Sequence, residues 1–528
     1  MRHASHRLGV LVRKELLANL RTLRLAITLS FAVLLCVLST VLGSYDYSRN
    51  VRDYEAAVVS NGDRLAAART FQALRPQVFA APQPLQILCR GSIGGAGQYF
   101  PIFAGSYRID RRTISSTKTG DLMFTLIQVD FVMVVSLVLS LLAIVLGYDA
   151  ICGEREQGTL RLALSHPVKR AEIVAGKMIG GVLSVWTCLA TAFLVSLIVM
   201  QANQDVDLSG DDWVRLGMLF AVTALFLAEV YALSVLASVY TRQSATSLVI
   251  CLFAWLVLSA GYSNALPAAA RRLIDWPPWQ ELEEGNRRED HRRDESLAAW
   301  AEKHPPPGAA WLAGYTEDGV LHYVHPRGAA WLDARAAAAL DITLERADRV
   351  ARLQAQNQMP LARQQFAVER WSALFPITSY RVLGAWIVRA TLDDAFEFGR
   401  HGVRYRRQYF EYIRDHLNAT GWRLWYTDDP AGTPPMITEP AAVTPPSLLQ
   451  GSEFLRDRHL ESQARWQLDR SDSRRRLDLS AMPGAGSGGK RTIAESLEQM
   501  MTGLLVMILT LGVAVVAAVR RFATYEVD

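Results

Sequence analysis

Six stretches of this chain are apolar and nearly free of charge over lengths that can cross a bilayer. A membrane-spanning helix needs roughly 20 largely apolar residues, because no water is present to hydrogen-bond exposed backbone. The runs are 25–45, 131–148, 178–204, 216–240, 244–266 and 499–519. Soluble cores rarely hold six such runs, so buried helices of a soluble protein are a poor explanation of the set. The remaining chain is polar, which explains a mean hydropathy of only +0.11. With 50% hydrophobic and 20% charged residues, the composition excludes general disorder, and five cysteines in 528 residues exclude a disulfide scaffold. The formal net charge of +5 is too mild to imply a nucleic-acid partner.

The first run follows Arg2, Arg7, Arg13, Lys14, Arg21 and Arg24, as a signal peptide would. It exceeds the usual h-region of about 7–15 residues and lacks a clear small-x-small cleavage site, so a retained anchor is expected. Short-loop basic residues set orientation. Arg155, Arg161, Lys169, Arg170 and Lys177 lie between runs two and three, Arg242 between four and five, and Arg520 and Arg521 after run six. Between runs three and four a single Arg215 faces Asp205, Asp207, Asp211 and Asp212. This bias places both termini in the cytoplasm, in a multi-pass protein of the cell (inner) membrane.

The fold class expected is mainly α: a polytopic membrane protein with six transmembrane helices plus a largely helical extracytoplasmic domain. Its divisions are a cytoplasmic amphipathic helix (1–24), TM1 (25–45), an extracytoplasmic segment (46–121), TM2 (122–148) and a cytoplasmic coupling region (149–177). TM3 (178–204), TM4 (216–240), TM5 (244–266), a large extracytoplasmic domain (267–496), TM6 (499–519) and a tail (520–528) complete it. The leading helix has Leu8, Val12, Leu16 and Leu20 at i, i+4 spacing. Within 46–121, helical periodicity runs to about Leu74 before prolines and a glycine-rich stretch interrupt it. Gly328 to Gln358 reads as helix, Met359-Pro360 as an interruption, and helices resume through Trp371 and from Ile377 to His416. Pro430 to Pro446 reads as loop. A Trp-rich composition in 267–496 fits a helical core with interfacial aromatics, or a substrate vestibule or docking face.

The most informative segment is 149–177. Gly158-Thr159 ends one short turn and begins another, Leu160, Leu162 and Leu164 offer apolar contacts, and His166-Pro167 breaks the run before a helix that enters TM3. A soluble partner gripping this segment would move the second and third spans together. Glu154, Arg155, Glu156, Gly158, Thr159 and Leu160, then Pro167, Val168 and Arg170, then Gly176 and Lys177, resemble the coupling helix of type-2 ABC exporter permeases. Asp130-Phe131, Gly147-Tyr148-Asp149 and Val12-Arg13-Lys14-Glu15-Leu16 also look like that family. Phe375-Pro376 to Tyr405 and the end from Arg521 to Val527 are weaker echoes. Much of 267–370 and 407–490 matches nothing nameable, so the chain looks closest to variants with large extracytoplasmic insertions.

The resemblance implies a permease subunit of an ATP-driven exporter with no catalysis of its own. Two cytoplasmic ABC ATPase subunits carry ATP and magnesium, a second permease copy or paralogue completes the dimer, and lipid surrounds it. An extracytoplasmic or outer-membrane protein is a further candidate partner. On this carry-over Glu154, Arg155, Glu156 and Thr159 face the ATPase, Gly158, Leu160 and Arg170 share the coupling region, and Leu160 and Leu164 pack toward the membrane helices. A subunit that transmits ATPase strokes to an external partner without passing cargo is the alternative. A membrane enzyme with an external active site is a third reading, weakened by the absence of a recognisable nucleophile or metal constellation.

Other motifs mislead. Gly484 to Lys490 looks like a phosphate loop, but position 491 is Arg where Ser or Thr is needed for magnesium, and a Gly/Ser linker fits better. Leu208-Ser209-Gly210-Asp211 lies in a short external loop. His322 and His325 lack further ligands, so no metal site is expected. Asn418-Ala419-Thr420 matters only in a glycosylating host, and Glu281 to Glu295 reads as a solvated face. Glu229 differs: an acid near the middle of TM4 costs about 3 kcal/mol on insertion scales and is functional by default. Ser184, Thr187 and Thr191 of TM3 are candidate partners, and either a pathway or interface role or a locally satisfied acid fits.

Overall fold

A computed structural model describes residues 2–68, 74–91, 98–102, 112–113, 130–160, 169–274, 279–305, 326–415, 479–486 and 491–524. Among these, helices dominate, and the only strands are the short antiparallel set β1 (Gln77–Phe79), β2 (Gln98–Pro101) and β3 (Arg112–Thr113). The readings at Leu162, Leu164, Pro167, Val168, His322, His325, Asn418 and 430–446 lie outside the described residues.

The chain begins with α1 (Arg2–Leu20) and α2 (Leu23–Ala66), whose N-terminus is capped by Thr22. At about 1.5 Å per residue, the 44 residues of α2 run to roughly 66 Å. That is twice a bilayer core, so the first span continues as a stalk beyond the apolar run. A second span is built from α3 (Phe131–Val134), a π turn (Val135–Leu139) and α4 (Ser140–Gly147). The short segment α5 (Cys152–Glu156) leads to α6 (Arg170–Gln201) and α7 (Gly210–Tyr240). Ser209 and Asp212 form a capping box at the start of α7. Then come α8 (Ser244–Leu256), a π turn (Val257–Gly261) and the amphipathic α9 (Tyr262–Leu273).

Five described helices are long and apolar enough to cross a membrane, and the sixth apolar run, Ser244–Ser259, is shorter. The helical path does not stop at 266, the expected end of TM5, but continues through Pro267 to Leu273. The π turn divides its apolar part from its amphipathic part, and such turns are a recognised cause of bends.

Beyond the spans lie α10 (Trp279–Lys303), α11 (Pro326–Ser372), α12 (Pro376–Ile387), α13 (Leu392–Asp415) and finally α14 (Ile493–Ala523). The expected break at Met359-Pro360 is absent, because α11 runs through it. Helix α11 packs along α10. These two helices are antiparallel, with Gly285 against Leu353 and Asp290 paired to Arg346 at 2.5 Å. The run Glu281 to Glu295 is therefore not only a solvated face: Glu289 is buried and accepts from Arg349 at 2.6 Å. Break and resumption instead occur at 388–391, where Arg389 adopts φ 58°.

The main core is the helix bundle, and α7 is its axis: 72% of its most apolar stretch is buried, against 28% for α2 and 22% for α14. A second core joins β1 and β2 to α13 through Val78, Phe100, Tyr405, Tyr409 and Ile413. Gly402 lets α13 approach closely, since a Cβ there would meet the Phe100 ring at 2.6 Å. The Gly484-Ala485-Gly486 stretch is tied to this core rather than loose, with His401 Nε2 2.8 Å from the Ala485 carbonyl and Tyr405 donating to the Pro483 carbonyl.

One element sits where the sequence did not place it. The short helix α12 belongs to the stretch assigned to the extracytoplasmic domain, yet it packs among the spans. Pro376 starts it, and ten of its twelve residues are buried. Tyr380 stacks on Phe226 of α7, with centroids 4.5 Å apart and rings 4° from parallel, and its hydroxyl lies 3.1 Å from Thr223. Thr223 is about 20 Å along α7 from its start at 1.5 Å per residue. Gly503 of α14 and Gly384 of α12 leave room for Leu383 and Val132, respectively.

A polar joint fixes α12 and α13 to the bundle. Arg215 of α7 is 0% exposed. It donates to Asp211 at 2.9 Å, to the Ile387 carbonyl at 2.9 Å, to Ser496 Oγ at 3.1 Å and to the Arg491 carbonyl at 2.8 Å. Arg389 also donates to the Arg491 carbonyl and pairs with Asp211, while Arg491 pairs with Asp393 and lies 4.4 Å from the Trp386 ring centre. Burial and neighbouring Arg215 pull the Arg389 guanidinium below its ordinary value, and Asp211 and Asp212 oppose them. Paired carboxylates are what allow these cations to remain charged away from water.

Candidate functional site

Helices α6, α7 and α8 meet at the short helix α5, α1 reaches it through Lys177, and the end of α14 lies against the start of α6. Two glycines make the first contact possible. A Cβ at Gly176 would meet Leu11 at 2.8 Å, and one at Gly180 would meet Glu15 at 2.7 Å, so α1 lies directly against α6. Leu8, Leu11, Val12, Glu15, Leu16 and Asn19 are the less exposed positions of α1, whereas Leu20 is 39% exposed. Asn19 donates to Ser184 across this interface at 3.2 Å.

Lys177 sits at the centre. It is 8% exposed, 2.8 Å from Glu154 and 3.5 Å from Glu15. One ammonium therefore joins α1, α5 and α6. Tyr231 of α7 packs over Gly181 and donates to the Lys177 carbonyl at 3.4 Å. A side chain at Gly181 would overlap that ring.

The ends of α5 are joined to the turn between α7 and α8. Ser238 Oγ accepts from the Ile151 and Cys152 amides at 3.0 and 3.1 Å, so a residue of α7 caps the start of α5. Arg155 donates to the Thr241 carbonyl at 3.0 Å, and Thr241 is the C-terminal cap of α7. Glu156 accepts from the Ser244 amide at 3.0 Å and from the Ser244 hydroxyl. Gln243 provides no side-chain cap for α8, so Glu156 serves in its place. A cation at one helix C-terminus and an anion at the next N-terminus both match the helix dipoles. Gly158 then takes φ 71°, the left-handed turn glycine favours, and Thr159 donates to the Glu154 carbonyl. Glu156, Gln157, Gly158 and Thr159 are exposed, whereas Leu160 is buried. Arg170 donates to the Ala523 carbonyl at the end of α14 at 3.0 Å, and Arg521 lies 5.5 Å from the Tyr240 ring centre.

Sequence reasoning named Glu154, Arg155 and Glu156 but not what they hold. It missed the roles of Glu15, Ser238, Thr241 and Ser244. A lone serine in an apolar run carries no signal of its register against another helix.

The second site named from sequence is Glu229, 1% exposed. Its partner is Thr510 of α14, whose hydroxyl donates to Glu229 Oε1. Ser184, Thr187 and Thr191 are not its partners; each bonds a carbonyl of its own helix, those of Gly180, Leu183 and Thr187. Among the described residues, Glu229 Oε2 has no hydrogen-bond partner. No group of three or more metal-ligating side chains occurs among the described residues.

A helical bundle of this kind, with five helices long and apolar enough to cross a membrane among the described residues, is that of a multi-pass membrane protein. Residues 10–396 match the family described as ABC-2 family transporter protein, and the chain belongs to that family. It is 32% identical over 170 residues to "Probable ABC transporter permease protein NosY" of Stutzerimonas stutzeri, covering 29% of this chain and 61% of that protein. It is also 32% identical over 150 residues to the protein of the same name from Pseudomonas aeruginosa, covering 26% and 52%. The chain thus spans between about half and three-fifths of these relatives.

Proposed function

We propose that the chain is the membrane subunit of an ATP-driven exporter. Two separate cytoplasmic ATPase subunits, which hold the ATP and magnesium, act on the α5 segment, and a second permease copy or paralogue completes the pore. The subunit lies in the inner membrane with both termini cytoplasmic and the 267–496 region largely outside. It supplies no catalytic residue and no cofactor of its own. The observation that carries this reading is the state of α5: its ends and its Glu154 are joined to α6, α7 and α8, and through Lys177 to α1, while Glu156 to Thr159 stay exposed to a partner. Such a segment moves the bundle when pushed and does not merely flex. Co-expression with its host's ABC ATPases and purification in nanodiscs is expected to give a stable complex that hydrolyses ATP. A permease that never assembles with an ATPase would overturn the proposal.

Glu229 belongs to this proposal as a pathway or interface residue between the fourth and sixth spans. Gln keeps an acceptor for Thr510 and removes the ionisable group. Glu229→Gln is expected to leave the thermal midpoint within a few degrees, as an exchange that retains its hydrogen bond should. It should nonetheless impair complementation of a strain lacking the gene. Full complementation by the Gln variant would reduce Glu229 to a locally satisfied structural acid.

A further inference from the structure

We propose that the stroke received at α5 is routed to the turn between the fourth and fifth spans through reciprocal capping, with Glu156, Arg155 and Ser238 as positioning residues. This rests on the reading that an ATPase acts on α5. Sequence continuity alone would send the motion into the second and third spans. The hydrogen bonds add a second route. The start of α5 is capped from α7 by Ser238, the end of α7 is met by Arg155, and the start of α8 is capped by Glu156.

Each contact satisfies backbone groups that a helix end leaves open. Ser238, Ile151 and Cys152 are all at most 0% exposed, so water cannot replace that cap if α5 moves alone. Separating α5 from the turn would orphan the buried Ile151 and Cys152 amides and break the part-buried Arg155 contact to the Thr241 carbonyl, whereas the exposed Ser244 amide would turn to water. The α5 segment and the 241–244 turn therefore move as one body. Close packing behind them stiffens it: Gly147 lets α4 approach Ser234, where a Cβ would come within 2.9 Å, and Ser234 donates to the Ile144 carbonyl at 3.1 Å.

The test uses the full complex with its ATPase subunits, comparing amide hydrogen exchange without nucleotide and after trapping with ATP and vanadate. In the wild type, residues 152–160 and 241–247 are both expected to change exchange on trapping. In Glu156→Ala with Ser238→Ala, the response at 152–160 should persist and that at 241–247 should fall by about tenfold or more, as for loss of coupling between two elements. Glu156→Gln retains an acceptor for the Ser244 amide and should restore the turn's response when Ser238 is intact. Glu156→Ala with Arg155→Ala removes both contacts that reach the 241–244 turn itself and keeps the test available if Ser238→Ala destabilises the bundle. A turn that responds fully in the Glu156→Ala, Ser238→Ala variant, or in Glu156→Ala with Arg155→Ala where the first does not fold, overturns the route while leaving the ATPase reading intact. No response at 152–160 in the wild type removes both.

Discussion

Replacing Arg215 with alanine is expected to destabilise the bundle by about 3–5 kcal/mol, the range for breaking a buried, hydrogen-bonded charge cluster. The guanidinium is fully buried and serves four partners on three elements. Its loss leaves the Ile387 carbonyl and the Ser496 hydroxyl without it, and leaves Arg389 as the remaining cation on Asp211 and on the Arg491 carbonyl. Because Ile387 ends α12 and Ser496 lies in the first turn of α14, the damage falls on the seating of α12 against the spans. Thermal unfolding in detergent and protease sensitivity of 376–415 measure it. Arg215→Lys should recover only part, since an ammonium cannot present the planar fork that reaches two carbonyls and a carboxylate at once. A thermal midpoint for Arg215→Ala within about 1 °C of the wild type, against the several degrees that a loss of this size predicts, would show that the joint contributes little.

The second large effect is expected at Lys177. Lys177→Met keeps the apolar stem and removes the ammonium, so Glu15 and Glu154 face one another with no cation between them. Hydrogen bonds to charged groups contribute about 1.5–3 kcal/mol, and the partial exposure of Glu154 favours the lower half of that range. Docking of α1 on α6 should weaken correspondingly, seen as roughly tenfold to hundredfold faster amide exchange over residues 8–20. Converting Glu15 and Glu154 to Gln in the Lys177→Met background should recover most of the protection, because the like-charge repulsion is gone. If exchange in α1 is unaltered by Lys177→Met, the glycine-lined contact holds the helix unaided and the ion pairs are incidental.

These two residues also show how unevenly the sequence reports structure. Lys177 stands at the end of a recognisable run, so it was legible as part of the 149–177 segment; its pairing with Glu15, 162 positions away, was not. Arg215 was read as one basic residue in an acidic loop. Nothing in that loop indicates that it is the most thoroughly buried cation of the described residues. Glu229 was legible as an anomaly because an acid in an apolar run is costly wherever it points. Its partner was misassigned to the third span, since helix rotation decides which neighbour faces it, and α14 rather than α6 supplies Thr510. The short helix α12 was legible as helical, but its place was not. Twelve residues are too few to register as a span, and only the stacking on Phe226 and the gaps at Gly384 and Gly503 reveal where it lies.

By itself, the sequence determined the class of molecule. Apolar length is a local property, and a bilayer forces each sufficiently long run into a helix that satisfies its own backbone. It marked out the 149–177 segment too, because that run of residue types is contiguous. The tertiary structure alone decided what those residues do to one another: that α5 is capped by a helix 86 or 87 residues onward, that Glu156 caps the start of α8, and that a polar joint ties α12 to the spans. The physical reason is that helix-end amides and carbonyls are generic groups. Any donor or acceptor of suitable reach satisfies them, so their partners are chosen by packing between distant segments and leave no pattern along the chain.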